Sequence, residues 1–422
     1  MSERGYRTYE VYQRERVGQS TPDVGPRDLR SDRFLLDPYP TLAILREQYP
    51  CYRDWGGNAF WISRYDDVTS VIADDANYET RPQAWFLGLE GGRDLCGDPA
   101  VASAWSGGIE SNALGLAETM IERLVGRGRF DLARDLAAPF PIELLVRSLD
   151  LPNVDRARLA ERYWQLHLGT GWEPAVREAG RIAAVELAAM FDPLVEHRRA
   201  DPGPDLLSAV ATAEVEGGPT RGADVVATLL EVDHRTIHGT LANLWFLLLT
   251  HPDQLMTVSD DPRSLKSAWL ESLRHSPPVL TAMRYTRHEV ERFGRLLPEG
   301  ALVRCSAAAA NRDPRVFADP DRFDIERRDL TQREARGQHR ADGLASAISV
   351  GTGPPSQHPA VPEDRPRSLF AITRDVVVGV SRVLLDATHD LRVVEGAEPS
   401  LRSLRLDEMR TCWSLPVECR PA

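Results

Sequence analysis

The sequence predicts a mostly α fold with a minor β component (α+β), and three observations support this. Apolar residues recur at helical spacing over roughly residues 113 to 150, 154 to 170, 174 to 199 and 221 to 250. Strand-like runs are short and few. Neither an internal repeat nor a linker-like stretch divides the chain. We therefore predict a single domain over residues 34–422, preceded by a polar, aperiodic and flexible arm over residues 1–33.

The predicted elements follow in order along the chain. TLAILREQY, from Thr41 to Tyr49, predicts a short helix, and CYRDW with NAFWISRY, separated by two glycines, predicts a hairpin. The four long helical segments follow, each broken by proline, glycine or aspartate. A helix at about 262 to 276 precedes strand-like runs at 284–293 and 301–310, and SLFAITRDVVVGVSRVLLDATHD predicts a last helix.

Composition and charge exclude several functional classes. A formal net charge of -12 would repel nucleic acid and anionic membranes, so a small molecule or a protein is the expected partner. The five cysteines are scattered and never spaced as CxxC, which indicates neither a disulfide framework nor a zinc site. The longest apolar stretch, Leu241 to Leu249, is too short to span a bilayer. We expect a cytoplasmic protein with no membrane partner.

Two local patterns carry structural information. Glu271 and Arg274 stand three residues apart on a predicted helix, where their side chains are neighbours. The run AANRDPRVFADPDRFD has no periodicity and predicts a meandering loop held by Phe317 and Phe323, with Arg322 as a fork-shaped donor.

In this order and spacing, these patterns resemble the cytochrome P-450 family. Glu271 and Arg274 precede MRYT, which contains Arg284, and the NRDP-to-DRFD meander follows. The resemblance extends over about residues 30 to 400 and implies the cytochrome P-450 fold. It also implies a structural network of Glu271, Arg274 and Arg322, and a haem-propionate contact for Arg284.

The segment SVGTGPPSQHPAV departs from the family pattern. The family places its haem-ligating cysteine in a loop reading Phe-Gly-x-Gly-x-His-x-Cys-x-Gly. Here Gly351 and Gly353 match the first two glycines, and Gln357 stands at the cysteine. Because no cysteine lies between Cys305 and Cys412, the thiolate that supports oxygen activation is missing. The resemblance therefore implies that haem is absent and that monooxygenase activity is lost.

The central helix departs from the family pattern as well. The family has a glycine and an acid before a threonine, which relay protons to bound oxygen. Asp233 replaces the glycine and Arg235 replaces the acid, so that only Thr236 matches. An aspartate over an apolar haem face would bury an unpaired charge.

Three functions remain open from the sequence. The resemblance points to a haem-less subgroup whose members are auxiliary proteins of deoxysugar glycosyltransferases in antibiotic biosynthesis; under this reading the chain needs no catalytic residue. Alternatively, Glu231, Asp233, Arg235 and Thr236 line the vacated pocket and perform haem-independent acid–base chemistry, such as cyclisation, isomerisation or dehydration. In the third reading, the chain is a residual haem binder whose iron is ligated by His358 or by a non-protein ligand.

Overall fold

The computed structural model describes residues 24–25, 28–89, 91–151, 153–171, 173–232, 235–331, 344–350, 352, 368–403 and 409–422. Helices dominate this part of the chain. They are α1 Asp32–Leu36, α2 Tyr39–Gln48, α3 Tyr65–Ile72, α4 Gln83–Leu87, α5 Pro99–Val125, α6 Pro139–Ser148, α7 Arg156–Leu168, α8 Pro174–Ala200, α9 Leu206–Thr212, α10 Gly222–Glu231, α11 Arg235–Thr250, α12 Pro252–Asp260, α13 Leu265–His275, α14 Ala307–Ala310 and α15 Leu369–Ala387. Short 3-10 helices at Asp28–Arg30 and Pro262–Ser264 and a π-helix at Leu132–Ala137 complete the helical part.

The strands are short and form small sheets. They are β1 Tyr52–Asp54, β2 Ala59–Ile62, β3 Tyr78–Glu79, β4 Arg129–Asp131, β5 Thr281–Thr286, β6 Val290–Arg292, β7 Arg295–Leu297, β8 Leu302–Ser306, β9 Leu330–Thr331, β10 Ala345–Ser346, β11 Thr388–Val393, β12 Leu401–Ser403, β13 Arg410–Cys412 and β14 Pro416–Pro421. The largest sheet has the order β1-β2-β8-β5-β3, in which only the β2–β8 pair is parallel. The predicted hairpin is the β1–β2 pair.

Local sequence explains where the long helices start. Asp98 caps α5 by accepting hydrogen bonds from the main-chain N–H groups of Ala100 and Val101, and Pro99 occupies the first turn, where it forfeits no helical hydrogen bond. Ser368 caps α15 through the N–H of Ala371. These two helices pack against each other and bury apolar faces in the main hydrophobic core.

A second apolar cluster lies under the five-stranded sheet, and a third surrounds the N-terminal helices. The third cluster includes residues of the predicted N-terminal arm. Residues 1–23 lie outside the described residues, but Val24 and Leu29 are buried. The packed part of the chain therefore begins before residue 34. That residues 34–422 form a single domain stays a prediction.

Several elements differ from the sequence prediction, and the run 284–293 is divided between β5 and β6. The helical pattern over residues 221 to 250 forms two helices, because α10 ends at Glu231 and α11 begins at Arg235. The run 301–310 is a strand only as far as Ser306, which caps the short helix α14 through the N–H of Ala309. None of the helices in the described ranges has the length and apolarity needed to cross a membrane.

Candidate functional site

A cavity of about 700 Å³ lies where the helical part of the molecule meets the five-stranded sheet. Helix α4 and strand β5 form two of its walls, and the facing ends of α10 and α11 form a third. Leu369, at the start of α15, and Met409, just before β13, complete the lining together with residues of the segment before α15. The cavity is therefore built from parts of the chain that are far apart in sequence.

Three of the four residues predicted to act in acid–base chemistry line this cavity. Glu231, Arg235 and Thr236 all contribute to its wall, and Asp233 lies outside the described residues. Oε1 of Glu231 accepts a hydrogen bond from the main-chain N–H of Gln83 across the cavity wall. Glu231 and Thr236 are buried, with 4% and 3% of their surface exposed. The break between α10 and α11 thus brings charged side chains to the cavity.

Arg284 connects strand β5 to the segment that resembles the ligand loop. Its guanidinium donates to the carbonyl of Met283 at 2.9 Å and to the carbonyl of Thr352 at 2.6 Å. Ser349 and Val350 of this segment are buried. The predicted loop residues Gly351, Gly353, Gln357 and His358 lie outside the described residues. In the described part of the molecule, Arg284 therefore ties two walls of the cavity together.

Four further arginines of the lining were not expected from the sequence: Arg81, Arg177, Arg181 and Arg304. For only one of these four arginines does the local sequence pattern indicate the direction of the side chain. Arg304 stands between Val303 and Cys305, both of which are buried, so strand alternation places it on the other face of the sheet. The other three stand in a loop or on α8, where single arginines are common on solvated surfaces.

An aromatic cluster borders the cavity. Trp85 and Phe86 of α4 have ring centroids 5.1 Å apart, and the ring of Tyr285 lies 5.7 Å from that of Trp85. The guanidinium carbon of Arg81 lies 5.4 Å from the Trp85 ring and 5.3 Å from the Tyr285 ring. A cation over aromatic faces at this distance is an attractive arrangement.

The predicted structural network exists, but one of its members is different. Arg274 pairs with Glu271, and its Nη2 also donates to the main-chain carbonyl of Arg322 at 2.9 Å. The side chain that joins Glu271 from the meander belongs to Arg327, whose Nε lies 3.0 Å from Oε2 of Glu271 as an ion pair rather than an aligned hydrogen bond. Arg322 is exposed and contributes its carbonyl. The assignment of Arg322 as the third side chain was wrong, because an aperiodic segment does not fix which arginine faces inward.

The cysteines lie elsewhere in the molecule. None of the five belongs to the described lining of the cavity. Burial raises the pKa of the Cys96 thiol well above its ordinary value, and it raises the pKa of Cys305 and of Cys412 to about 12. Burial also raises the pKa of Cys419. Burial therefore favours the thiol over the thiolate, the more nucleophilic form, in these four side chains.

Comparisons with known proteins define the family. A model described as Cytochrome P-450 matches residues 265–341. Pulcherriminic acid synthase of Bacillus subtilis is 26% identical over 389 residues, which are 86% of this chain and 91% of that protein. Cytochrome P-450 107B1 of Saccharopolyspora erythraea is 31% identical over 333 residues, which are 70% of this chain and 80% of that protein.

The chain belongs to the cytochrome P-450 family. The solved structure of the cytochrome P-450 CYP109Q5 from Chondromyces apiculatus matches it with a TM-score of 0.71 at 23% identity, over 93% of this chain and 98% of that one. The predicted cytochrome P-450 fold is thereby confirmed, including the mostly helical content and the minor sheets.

The described lining of the cavity in this cytochrome P-450 homologue does not include the haem ligand that the family uses. That ligand is a cysteine thiolate, and the described lining contains neither cysteine nor histidine. Met283 and Met409 contribute thioethers, which carry no negative charge. Among the described residues, no group of three or more His, Cys, Asp or Glu side chains could hold a metal ion. The donor set therefore does not fit a thiolate-ligated haem, and no oxidative step follows from it.

Proposed function

We propose that this cytochrome P-450 homologue is a non-oxidising, haem-less accessory protein, and that its partner is a glycosyltransferase of natural-product biosynthesis. The donor set of the cavity carries this proposal. Arginines and a glutamate line the described wall, and the thiolate ligand is missing both from this wall and from the sequence between Cys305 and Cys412. Without the electron donation of a thiolate, the oxygen chemistry of the family has no support.

The retained scaffold fits an accessory role. The network of Glu271, Arg274 and Arg327 joins α13 to the meander through buried ion pairs, and it does not belong to the cavity lining. A protein that acts by binding a partner requires a defined surface and therefore a stable fold. It does not require a reactive centre.

An absorption spectrum tests the haem-less state. Purified protein incubated with haemin is expected to give no Soret band characteristic of a bound haem, and no thiolate-type band after reduction under carbon monoxide. The variant Gln357→Cys restores a thiol at the position of the family ligand and is expected to behave like the natural sequence, because Asp233 still replaces the glycine of the family's central helix and would place a charge at the haem face. A thiolate-type spectrum in this variant would show that the haem site is intact apart from one residue.

Co-expression tests the accessory role. The glycosyltransferase encoded in the same biosynthetic route is produced with and without this protein, and its soluble yield and sugar-transfer rate are measured. We expect both to fall when the accessory protein is omitted. The variant Arg263→Gln, which alters an exposed side chain paired with Asp261, serves as a control and should support the transferase fully. A transferase that is equally soluble and active alone would contradict the proposal.

A second candidate function is a haem-independent enzyme in the same cavity. The observation in its favour is that Glu231, Arg235 and Thr236 share one wall. Glu231→Gln and Asp233→Asn would then abolish a pathway step while complex formation with the transferase persists. If both variants sustain product formation, this candidate fails. If haemin gives a Soret band that is lost in His358→Ala, the protein is instead a residual haem binder.

A further inference from the structure

One face of α10 holds the chain segment that carries α4. Asp224, Thr228 and Glu231 follow one another at intervals of four and three residues, so their side chains share a face of this helix. None of the three is more than 4% exposed. Each accepts a hydrogen bond from a main-chain N–H group of residues 83–89 and 91–96, which we call the α4 segment. The buried polar face of α10 is therefore bonded to the main chain of this segment.

The later part of the α4 segment lies along α10. Oδ1 of Asp224 accepts a hydrogen bond from the N–H of Arg93 at 2.8 Å, and Oγ1 of Thr228 accepts one from the N–H of Leu95 at 3.1 Å. The thiol of Cys96 donates to the main-chain carbonyl of Thr228 at 3.6 Å. These contacts fix the register of the segment on the helix, because each joins a different residue of the segment to a specific position on α10.

The side chain of Arg93 adds an ion pair to these contacts. Its Nε and Nη2 lie 2.9 and 2.8 Å from the two carboxylate oxygens of Asp224, which is fully buried. Nη1 donates to the carbonyls of Glu216 and Gly218, in the loop between α9 and α10, at 2.7 and 2.9 Å. A bidentate arginine–carboxylate pair is a strong contact with a specific geometry. Arg93 therefore joins the α4 segment, α10 and this loop.

Gly92 brings the α4 segment into direct contact with α10. A Cβ at this position would lie 2.7 Å from the carbonyl oxygen of Ala223 and 3.2 Å from Cβ of Ala227. Distances this short leave no room for a side chain, so a larger residue overpacks the contact. Any side chain at position 92 should therefore push the segment away from the helix.

The earlier part of the α4 segment forms a wall of the cavity. Gln83 and residues 85–88 line the cavity, and the N–H of Gln83 is the group bonded to Glu231. Of the described residues in the segment, only Leu87 and Leu95 are buried. Segments with few buried apolar contacts open locally at a low cost in free energy. The closed position of this wall therefore depends strongly on its hydrogen bonds to α10.

We propose that the α4 segment is a lid of the cavity and that Asp224, Thr228 and Glu231 form its clasp on α10. Local opening breaks these contacts and removes residues 83–88 from the wall, so that a molecule can enter the cavity. The three clasp residues are positioning residues, because they act by holding the main chain of the lid. The inference requires neither haem nor a glycosyltransferase, so its failure would leave the proposed function intact.

Amide hydrogen exchange of the full-length protein tests the clasp. Thr228→Val removes the acceptor for the N–H of Leu95, and the α4 segment is expected to exchange at least about tenfold faster, as the loss of a buried hydrogen bond predicts. Thr240→Val is the matched control, because that hydroxyl donates to the carbonyl of Thr236 within α11. Unchanged exchange in α5 shows that the effect is local. Equal exchange of the segment in the two variants would overturn the clasp.

Two variants of Glu231 separate the positioning role from acid–base chemistry. Glu231→Gln keeps an acceptor for the N–H of Gln83, so the α4 segment should exchange as in the natural protein. Glu231→Leu removes the acceptor and should accelerate exchange over residues 83–89 at least about tenfold. A catalytic carboxylate, in contrast, is lost in both variants. Accelerated exchange in both variants, or in neither, would contradict the positioning role.

Thiol labelling tests whether opening admits molecules to the cavity. Ala282→Cys introduces a thiol on the cavity wall, and Cys96 reports on the end of the α4 segment. Fluorescein maleimide should label both thiols at least about tenfold faster when Gly92→Ala is added, because overpacking disfavours the closed lid. Gly107→Ala, which has open space around its Cβ position, is the matched control and should change neither rate.

Mass spectrometry of the labelled protein assigns the label to each thiol. Faster labelling of both thiols in the Gly92→Ala background supports the lid. Faster labelling of Cys96 alone would show that the segment opens without admitting a molecule to the cavity, which would overturn the lid. Unchanged labelling of both thiols would overturn the opening itself.

Discussion

Arg274 and Glu271 form a buried, bidentate ion pair. Nε and Nη2 of the arginine each lie 2.7 Å from a different carboxylate oxygen, and the two side chains are 0% and 1% exposed. The remaining donors of Arg274 contact the main-chain carbonyls of Asn311, Pro320 and Arg322. All five guanidinium donors therefore have acceptors, which is the condition under which a buried arginine is tolerated.

Removal of the carboxylate should destabilise the fold strongly. Glu271→Gln leaves the charge of Arg274 buried without its counter-ion, and we expect a loss of about 3–5 kcal/mol in the free energy of unfolding. Urea denaturation at neutral pH measures this loss. Arg263→Gln, in the exposed pair with Asp261, should give the same midpoint as the natural sequence. A Glu271→Gln protein as stable as the natural one would refute the structural role of this pair.

The two meander arginines should differ in their effects on stability. The side chain of Arg327 is 6% exposed and pairs with Glu271 and Asp329, so Arg327→Gln should lower the free energy of unfolding by about 2 kcal/mol. Arg322→Gln retains the main-chain carbonyl that Arg274 uses and should have no measurable effect. Denaturation curves of the two variants, recorded under the same conditions, measure this difference in the free energy of unfolding. The reverse order of effects would restore Arg322 as the network side chain.

Two glycines on long helices should respond oppositely to alanine. A Cβ at Gly180 on α8 would lie 2.7 Å from Cα of Gly169 and 2.8 Å from Cδ2 of Leu87. Gly180→Ala should therefore destabilise the protein by about 1–3 kcal/mol through overpacking. Gly107, within α5, has open space around its Cβ position, and Gly107→Ala should stabilise the protein by about 0.5–1 kcal/mol. Thermal unfolding of both variants tests the contrast, and equal shifts would contradict it.

The buried histidine of α11 should make the fold sensitive to acid. Burial lowers the pKa of His238 from 6.5 to about 4, and its ring lies between the rings of Trp164 and Trp413. Below pH 6.5 the unfolded chain binds a proton that the folded protein refuses, so the free energy of unfolding falls as the pH drops from 6.5 to about 4. One such group contributes a slope of at most about 1.4 kcal/mol per pH unit.

His238→Leu should remove this contribution from the pH dependence. His275 contributes in the same direction, because burial and the charges of Arg312 and Arg274 lower its pKa to about 2. The variant is therefore expected to have a shallower slope rather than none. Denaturation midpoints across the pH range measure the slope, with exposed His389→Gln as the control. An identical slope in His238→Leu and the natural protein would disprove the assignment.

Much of the fold could be predicted from the sequence, because local residue patterns determine where many of its helices and strands form. The helix at Leu265–His275 and the last helix at Leu369–Ala387 agree with their apolar periodicity, and the hairpin agrees with its strand-like runs. The separation of α10 from α11 was not predicted, because the apolar spacing continues on both sides of the break. Periodicity detects the face of a helix and not a local interruption of its axis.

The candidate site was harder to predict from the sequence than the fold, because tertiary structure brings its residues together. Glu231, Arg235 and Thr236 could be predicted to share a wall because they lie close together in sequence. That Arg81 and Arg304 line the same cavity could not be predicted, because the fold brings them together from segments more than two hundred residues apart. The aromatic cluster was missed for the same reason.

The ion-pair network of Glu271 and the arginine-lined cavity have no described residue in common. The side chains that form this network are therefore different from those that line the cavity. In evolutionary time, substitutions in the cavity wall can accumulate without bringing the protein below the stability that it needs to fold. Such a scaffold tolerates sequence change, because the wall of its cavity can vary through a series of variants that all remain folded.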